Sequence, residues 1–138
     1  MNNATQKYIA DHENDDIFSL SLSIRNNKEI DHELAIRQIR GRQKIKHKVS
    51  KFYNCSEILY PSQLSLEQSS SEATAFYKST LCKGDSFVDL TGGFGVDCSF
   101  MSQNFSKAIY VEQKKELCEL ANHNFKVLGI KNIEVIND

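Results

Sequence analysis

No stretch of this 138-residue chain approaches the ~18 consecutive apolar residues that would span a membrane, and no signal-peptide core is present. The pattern therefore gives no sign of export or of a membrane, and the expected location is cytoplasmic. No Cys-x-x-Cys pair occurs. Cys55, Cys82, Cys98 and Cys118 are widely spaced, and they read as reduced, partly buried thiols rather than as disulfide or zinc ligands. His12, His32, His47 and His123 are scattered without ligand spacing, so no metal site is expected. An excess of charge of one sign is missing too: 17 Lys and Arg meet 18 Asp and Glu, for a net −1, and the total says nothing about a polyanionic partner. The length suits one domain on a prior of roughly 100–200 residues.

What is present is concentrated in Phe87-Val88-Asp89-Leu90-Thr91-Gly92-Gly93-Phe94-Gly95-Val96-Asp97. Phe87, Val88 and Leu90 read as a short buried strand after the turn residues Lys83-Gly84-Asp85. Gly92, Gly93 and Gly95 then allow a sharp turn and a close approach of bare backbone to a ligand. A helix follows whose free N–H groups point back at that ligand. This is the pattern of a cofactor loop. Its cofactor is narrowed by two further absences. A dinucleotide fingerprint G-x-G-x-x-G counted from Gly93 and Gly95 finds Cys98 in place of its third glycine, and the Gly-Lys-Ser/Thr ending of a P-loop is lacking.

Downstream, Lys107-Ala108-Ile109-Tyr110-Val111 is a second strand with Glu112 at its end, 23 residues after Asp89. That is close to the roughly 20-residue offset at which an acid meets a cofactor ribose. A carboxylate there can accept hydrogen bonds from both ribose hydroxyls; the plainer alternative is an acid favoured at a helix start. A helix from about Gln113 to Leu128 carries Leu117, Leu120, Ala121, Phe125 and Leu128 on one stripe and ends at Gly129. Ile133–Ile136 is a third strand.

Ahead of the glycine loop the chain reads as helical and polar. Asp11, Glu13, Asp15 and Asp16 form an acidic cluster. The segment Phe18–Ile24 alternates like a strand, yet Ile17, Leu20 and Ile24 also fit a helix capped by Asp15 or Asp16, which its helical neighbours favour. A longer helix is expected from Asp31, its cap, to about Lys51, with a break or kink possible at Gly41. It is basic: Arg37, Arg40, Arg42, Lys44, Lys46, Lys48 and Lys51 occur with no acid between Glu33 and Glu57. Such a run is either a solvated helix face or a phosphate-binding stripe for nucleic acid. After the extended Tyr60-Pro61, a serine-rich stretch leads into a helix over 71–81, capped by Ser69 or Ser70, with Ala73, Phe76, Tyr77 and Thr80 on its apolar face. The stretch is a capping segment, or it folds over one end of the cofactor.

These elements define an α/β chain: a helical N-terminal region with the basic helix over residues 1–82, then the first half of a Rossmann-like parallel sheet over 83–138, in strand order 3-2-1. The loop Asp89-Leu90-Thr91-Gly92-Gly93-Phe94-Gly95 resembles motif I, D-x-G-x-G-x-G, of class I S-adenosylmethionine-dependent methyltransferases, with Thr91 in place of its first glycine. With Gly41–Lys44, Tyr60-Pro61, Leu66–Gln68, Ser70–Glu72, Thr74-Ala75 and Tyr77-Lys78, nearly the whole chain is similar to a bacterial family of such enzymes that carries further C-terminal ferredoxin-like and THUMP-like modules. The resemblance implies a methyltransferase acting on RNA, tRNA or rRNA, with its acceptor-activating residues and RNA-binding modules beyond Asp138. It implies cofactor contacts from Asp89, Thr91, Gly92, Gly93, Phe94, Gly95, Asp97 and Glu112, and from Asp138 near the adenine amino group. Arg37, Arg40, Arg42, Lys44, Lys46 and Lys48 are the expected nucleic-acid contacts. Two other classes remain open: a nicotinamide-dependent enzyme, and a non-catalytic RNA-binding protein with a degenerate fold.

Overall fold

The computed structural model of the chain describes residues 1–23 and 28–138. Among these residues six α-helices come first: α1 (Asn3–Asp11), α2 (Ile17–Ser23), α3 (His32–Ile45), α4 (Ser50–Tyr53), α5 (Gln63–Gln68) and α6 (Glu72–Leu81). Strand β1 (Gly84–Asp89), helix α7 (Val96–Met101) with a 3-10 turn (Ser102–Asn104), strand β2 (Phe105–Glu112), helix α8 (Lys115–Val127) and strand β3 (Ile133–Asn137) follow. The strands form one parallel sheet in the order β1-β2-β3, with Val88 beside Ile109 and Tyr110 beside Val135. The α/β architecture and the strand neighbours are those the sequence predicts.

Four helix starts, those of α1, α2, α3 and α6, follow from short polar side chains that satisfy orphan N–H groups. Asn2, Asp31 and Ser71 accept from the N–H groups of Thr5, Leu34 and Thr74, so the cap of α6 is Ser71 rather than Ser69 or Ser70. Asp16 accepts from the Ser19 N–H at the start of α2, as expected; Ile24 of the expected stripe lies outside the described residues. Helix α1 is not legible in the sequence, because its polar composition hides the two residues it buries, Thr5 and Ile9. Past α8, Gly129 adopts φ 73° and donates to the Lys126 carbonyl, while Ile130 donates to Phe125. This double bond is a Schellman motif, which only a left-handed residue completes cheaply.

Several expectations change on packing. The basic helix does not run to Lys51: α3 ends at Ile45, and the chain turns at Val49 before α4. Ile45, Val49 and Phe52 still share one core across the turn, keeping the i, i+4, i+7 spacing that one helix face would give. Gly41 does not interrupt α3. It is buried where the Tyr60 side chain crosses the helix, and an added Cβ would strike that ring. On α6 the buried residues are Ala75 and Ser79, whose small side chains let the helix approach α7 closely, while Phe76 and Tyr77 are exposed. On α7, Cys98 packs with the sheet, whereas Val96 and Phe100 join the helical core. Val88 and Leu90 are exposed rather than buried, because residues alternate across a strand and the covered face here takes Phe87, Ala108, Tyr110, Ile133 and Val135.

One hydrophobic core crosses the boundary expected at residue 82. It joins Ile45, Phe52, Tyr60 and Ala75 to Phe94, Val96 and Phe100. Two buried amides complete the connection by pairing an extended segment on both sides. Gln38 donates to the Tyr60 carbonyl and accepts its N–H, and Asn124 on α8 does the same for Leu59. These side chains replace the missing strand neighbours of a backbone that would otherwise be buried unsatisfied.

The acidic start of the chain folds onto the basic middle. Glu13 accepts from Arg42 at 2.8 Å and from the Tyr53 hydroxyl, and Gln43 donates to the carbonyls of Glu13 and Asp15. Burial pushes the Glu13 carboxyl up, but the hydrogen bonds from Tyr53 and Arg42 and the charges of Arg42 and Lys46 outweigh it, and its pKa falls below the ordinary 4.5. A carboxyl lowered in this way contributes stability that is complete above its unfolded pKa and is lost as pH falls through the folded value. Replacing it, Glu13→Gln, is expected to cost about 1–3 kcal/mol at neutral pH, as for hydrogen bonds to a charged group. Urea denaturation followed from about pH 5 to 3 should then show a shallower acid-induced loss than the wild type; equal acid limbs would exclude this pair as their source.

Candidate functional site

The strand–turn–helix unit after β1 is built around close approach. Gly92 donates its N–H to the Val111 carbonyl at 3.0 Å, which draws the turn across the end of β2. The Tyr110 ring lies directly beneath it, and a Cβ at Gly92 would enter that ring. Tyr110 then donates its hydroxyl to the Gly93 carbonyl at 2.6 Å, and the Gly93 N–H donates to Glu112 at 3.0 Å. Gly93 and Gly95 take φ values of 54° and 82°, in the left-handed region that favours glycine. Each glycine of the motif has its own reason: space at Gly92, conformation at Gly93, and both at Gly95, where Phe125 also crowds the position.

Asp89 closes the near side of the turn, accepting the Thr91 N–H at 3.0 Å in an Asx-type turn. Glu112 holds the far side with both oxygens, one on Gly93 and the other on the Lys114 N–H at 2.9 Å. An ionised carboxylate has about four lone-pair sites, so two remain for a ligand. Asp97, on the first turn of α7, accepts from Lys78 at 2.7 Å and from Ser70 at 2.8 Å through one oxygen; the other, Oδ1, is buried and has no partner among the described residues.

These groups face one open cavity of about 650 Å³. Asp89, Thr91, Gly92, Gly93, Phe94, Gly95, Asp97, Glu112 and Asp138, the nine residues expected at the cofactor, all line it. Phe94 contributes differently from the rest: its side chain is buried against Phe52 and Tyr60, with ring centroids 5.1 and 5.9 Å away, so only its backbone is free for a ligand. Ser65, Gln68, Ser69, Ser70 and Lys78 form a further wall from α5, α6 and their connection. In the sequence, Gln68, Ser70 and Lys78 stand in runs that carry the family resemblance and the serines in a serine-rich stretch, but neither signal gives Lys78 a role at the cavity.

The cavity carries four carboxylates, Asp89, Asp97, Glu112 and Asp138, against the ammonium groups of Lys78 and Lys114. It therefore favours a cationic or zwitterionic ligand over a polyanion. The thiols beside it are inert. Burial, then the charges of Asp89 and Asp97, push Cys98 up to about 12, and burial with the Glu112 charge raises Cys118. Neither supplies a thiolate nucleophile near neutral pH. Among the described residues no group of three or more His, Cys, Asp or Glu is placed to hold a metal ion. No helix among them is long and apolar enough to cross a membrane.

The six basic residues expected at nucleic acid do not form one stripe. Arg37 pairs with Glu116 of α8, Arg42 with Glu13 and Lys44 with Glu67. Lys48 donates to the carbonyls of Leu66 and Glu67, and Lys46 lies over the Tyr53 ring with Asn14 at 3.5 Å. Arg40 makes no ion pair among the described residues; with His32 and Arg37 it lines a second cavity of about 660 Å³ between α2, α3 and α5.

No protein-family model and no curated protein matches the chain. A crystal structure of a "putative methyltransferase" from Porphyromonas gingivalis W83 does, with a TM-score of 0.77 and 29% identity over 96% of this chain. The matched region is 33% of that protein, so the chain spans about a third of its length. The fold of the chain is thus methyltransferase-like.

The packing under the glycine turn yields a direct test. Gly92→Ala is expected to cost about 1–3 kcal/mol, as other overpacked sites do, although alanine is otherwise the easier residue to order. Hydrogen exchange at the Gly93 amide should accelerate as its bond to Glu112 is displaced. Unchanged stability with unchanged Gly93 protection would refute the close approach.

Proposed function

We propose that the chain is the cofactor-binding part of an S-adenosylmethionine-dependent methyltransferase that acts on RNA. The observation that carries this reading is Glu112, which ends β2 and meets the backbone of the glycine turn at Gly93 while keeping two acceptor sites free. In the proposed complex those sites take the two ribose hydroxyls. The backbone from Thr91 to Gly95 runs along the ribose and amino-acid portions, Asp138 accepts from the adenine amino group, and Asp97 receives the ligand's ammonium. Two features fit that ligand: the unpartnered Oδ1 of Asp97, and Gly93, whose added Cβ would meet nothing closer than the Thr91 carbonyl at 3.5 Å.

S-adenosylmethionine, when bound, supplies a methyl group already activated on a sulfonium. The chain has correspondingly little covalent chemistry to perform, and its contribution is positioning and a matched electrostatic site. The acid-rich lining suits a sulfonium and disfavours the pyrophosphate of a nicotinamide cofactor. Cys98 points the same way: buried on the sheet, it leaves no third glycine for a dinucleotide. In this reading residues 83–138 hold the cofactor and residues 1–82 supply one cavity wall and the RNA-facing cations. Arg40 and Lys46, with Arg37 released from Glu116, are the phosphate contacts, and Arg42, Lys44 and Lys48 serve the fold. The neighbour's description as a methyltransferase supports the activity. A non-catalytic RNA-binding role accounts for Glu112 as a brace of the turn but gives its two free acceptor sites no ligand.

Calorimetric titration is expected to show S-adenosylmethionine binding and no NADH binding, with Glu112→Ala weakening the former by about tenfold or more. NADH binding of comparable strength, or an unaffected Glu112→Ala, would sink the assignment. For the partner, Arg40→Ala is expected to weaken RNA binding similarly across sequences and to lower the salt slope by about 1. An unchanged slope would remove Arg40 from the interface.

A further inference from the structure

We infer that Lys78, Ser70 and Asp97 form a clamp for a zwitterionic α-amino-acid group, with Lys78 as its carboxylate-reading residue. The inference rests on the S-adenosylmethionine reading and adds to it a specificity-determining side chain from outside the glycine loop. Lys78 lies on α6, and Ser70 two residues before that helix, 19 and 27 positions from Asp97 in sequence. The three converge at one end of the cavity: Lys78 donates to Asp97 Oδ2 at 2.7 Å and to Ser70 at 3.2 Å, and Ser70 donates to the same Oδ2 at 2.8 Å.

Counting donors and acceptors shows what the cluster leaves open. An ammonium has three N–H groups, and Lys78 uses two. A carboxylate has two oxygens, and Asp97 uses one; Oδ1 is buried with no partner among the described residues, a state that is costly unless something completes it. An unused N–H of a cation thus lies beside an unused oxygen of an anion. The complement of that pair is an anion beside a cation on one small ligand, as in the carboxylate and ammonium on the α-carbon of an amino acid. The charge balance agrees, since Lys78 and Asp97 together are neutral, as is a zwitterion.

A simple ion pair joining α6 to α7 would explain the 2.7 Å contact but not the orphaned oxygen. Nor would it explain why both partners line the cavity, with the Lys78 side chain 44% and that of Asp97 28% exposed. Among the described residues Lys78 bonds to Ser70 and Asp97 alone. Its long side chain pivots on a ligand's arrival, uncovering Oδ1 for the ammonium and turning Nζ to the carboxylate. Specificity follows: a ligand with adenosine and a thioether but no amino-acid end forgoes the clamp.

Two probes separate the clamp from the rest of the site. S-adenosylhomocysteine carries the amino-acid end, whereas 5′-methylthioadenosine has the same adenosine and a thioether without it. By calorimetry the wild-type protein is expected to bind the first about tenfold or more tightly than the second, the range of one or two charge-assisted hydrogen bonds. Lys78→Met should erase most of that preference and leave 5′-methylthioadenosine within about twofold of the wild type, with Lys78→Arg restoring part of the loss. Ser70→Ala, which removes only a hydroxyl, should give a smaller loss confined to S-adenosylhomocysteine. Equal wild-type affinity for the two probes would overturn the clamp, as would a Lys78→Met loss shared equally between them, the mark of a structural strut. Failure of the wild type to bind either probe would overturn the cofactor reading itself, and the clamp with it.

Discussion

The distance between the turn after β1 and the end of β2 governs the site. Three contacts set it: the Gly92 N–H on the Val111 carbonyl, the Tyr110 hydroxyl on the Gly93 carbonyl, and the Gly93 N–H on Glu112. Each requires that no side chain intervene, and the Tyr110 ring beneath Gly92 fills the space a Cβ would need. The same contacts that shape the loop place the Glu112 carboxylate at the cavity. Structure and ligand binding therefore draw on one set of atoms. Burial of Tyr110, followed by the nearby Glu112 charge, raises its phenol pKa, and the group remains a neutral donor to Gly93 throughout the ordinary pH range.

The N-terminal helices are bound to this unit through its core. Phe94, inside the glycine loop, packs edge-on to Phe52 and against Tyr60, so the loop is anchored from behind by residues more than thirty positions upstream. Tyr60 in turn crosses α3 at Gly41 and shares its backbone bonds with Gln38, while neighbouring Leu59 is held by Asn124. This chain of contacts brings α5 and α6 to the cavity wall. Buried amides that satisfy both members of a backbone pair lock one arrangement, because any slip would leave several polar groups unpaired at once.

Charge is partitioned in space in a way that its order along the chain obscures. The acidic start and basic middle meet, through Glu13 and Arg42, and further cations of the basic run turn to Glu67 and Glu116. Among the described residues Arg40 and Lys46 are left without an ion pair, and Lys46 still rests on the Tyr53 ring. At the cavity the balance reverses and acids predominate, which is the electrostatic setting for a cation or a zwitterion rather than a phosphate.

The sequence by itself determined the local and periodic features: the parallel α/β order, the cap at Asp31 and one at Asp15 or Asp16, the Gly129 helix end, and the set of residues around the glycine loop. These are legible because they depend on spacings of a few residues or on a motif whose backbone shape is fixed by its glycines. The tertiary structure decided which face each helix buries, as when α6 turns Ala75 and Ser79 inward and leaves Phe76 and Tyr77 outside. It also decided where α3 stops and which cations stay free. Above all it brought Lys78 and Ser70 to Asp97. Pairings over such separations depend on how elements pack. A lysine on a solvated helix and one beside an orphaned carboxylate oxygen look the same in a string of letters.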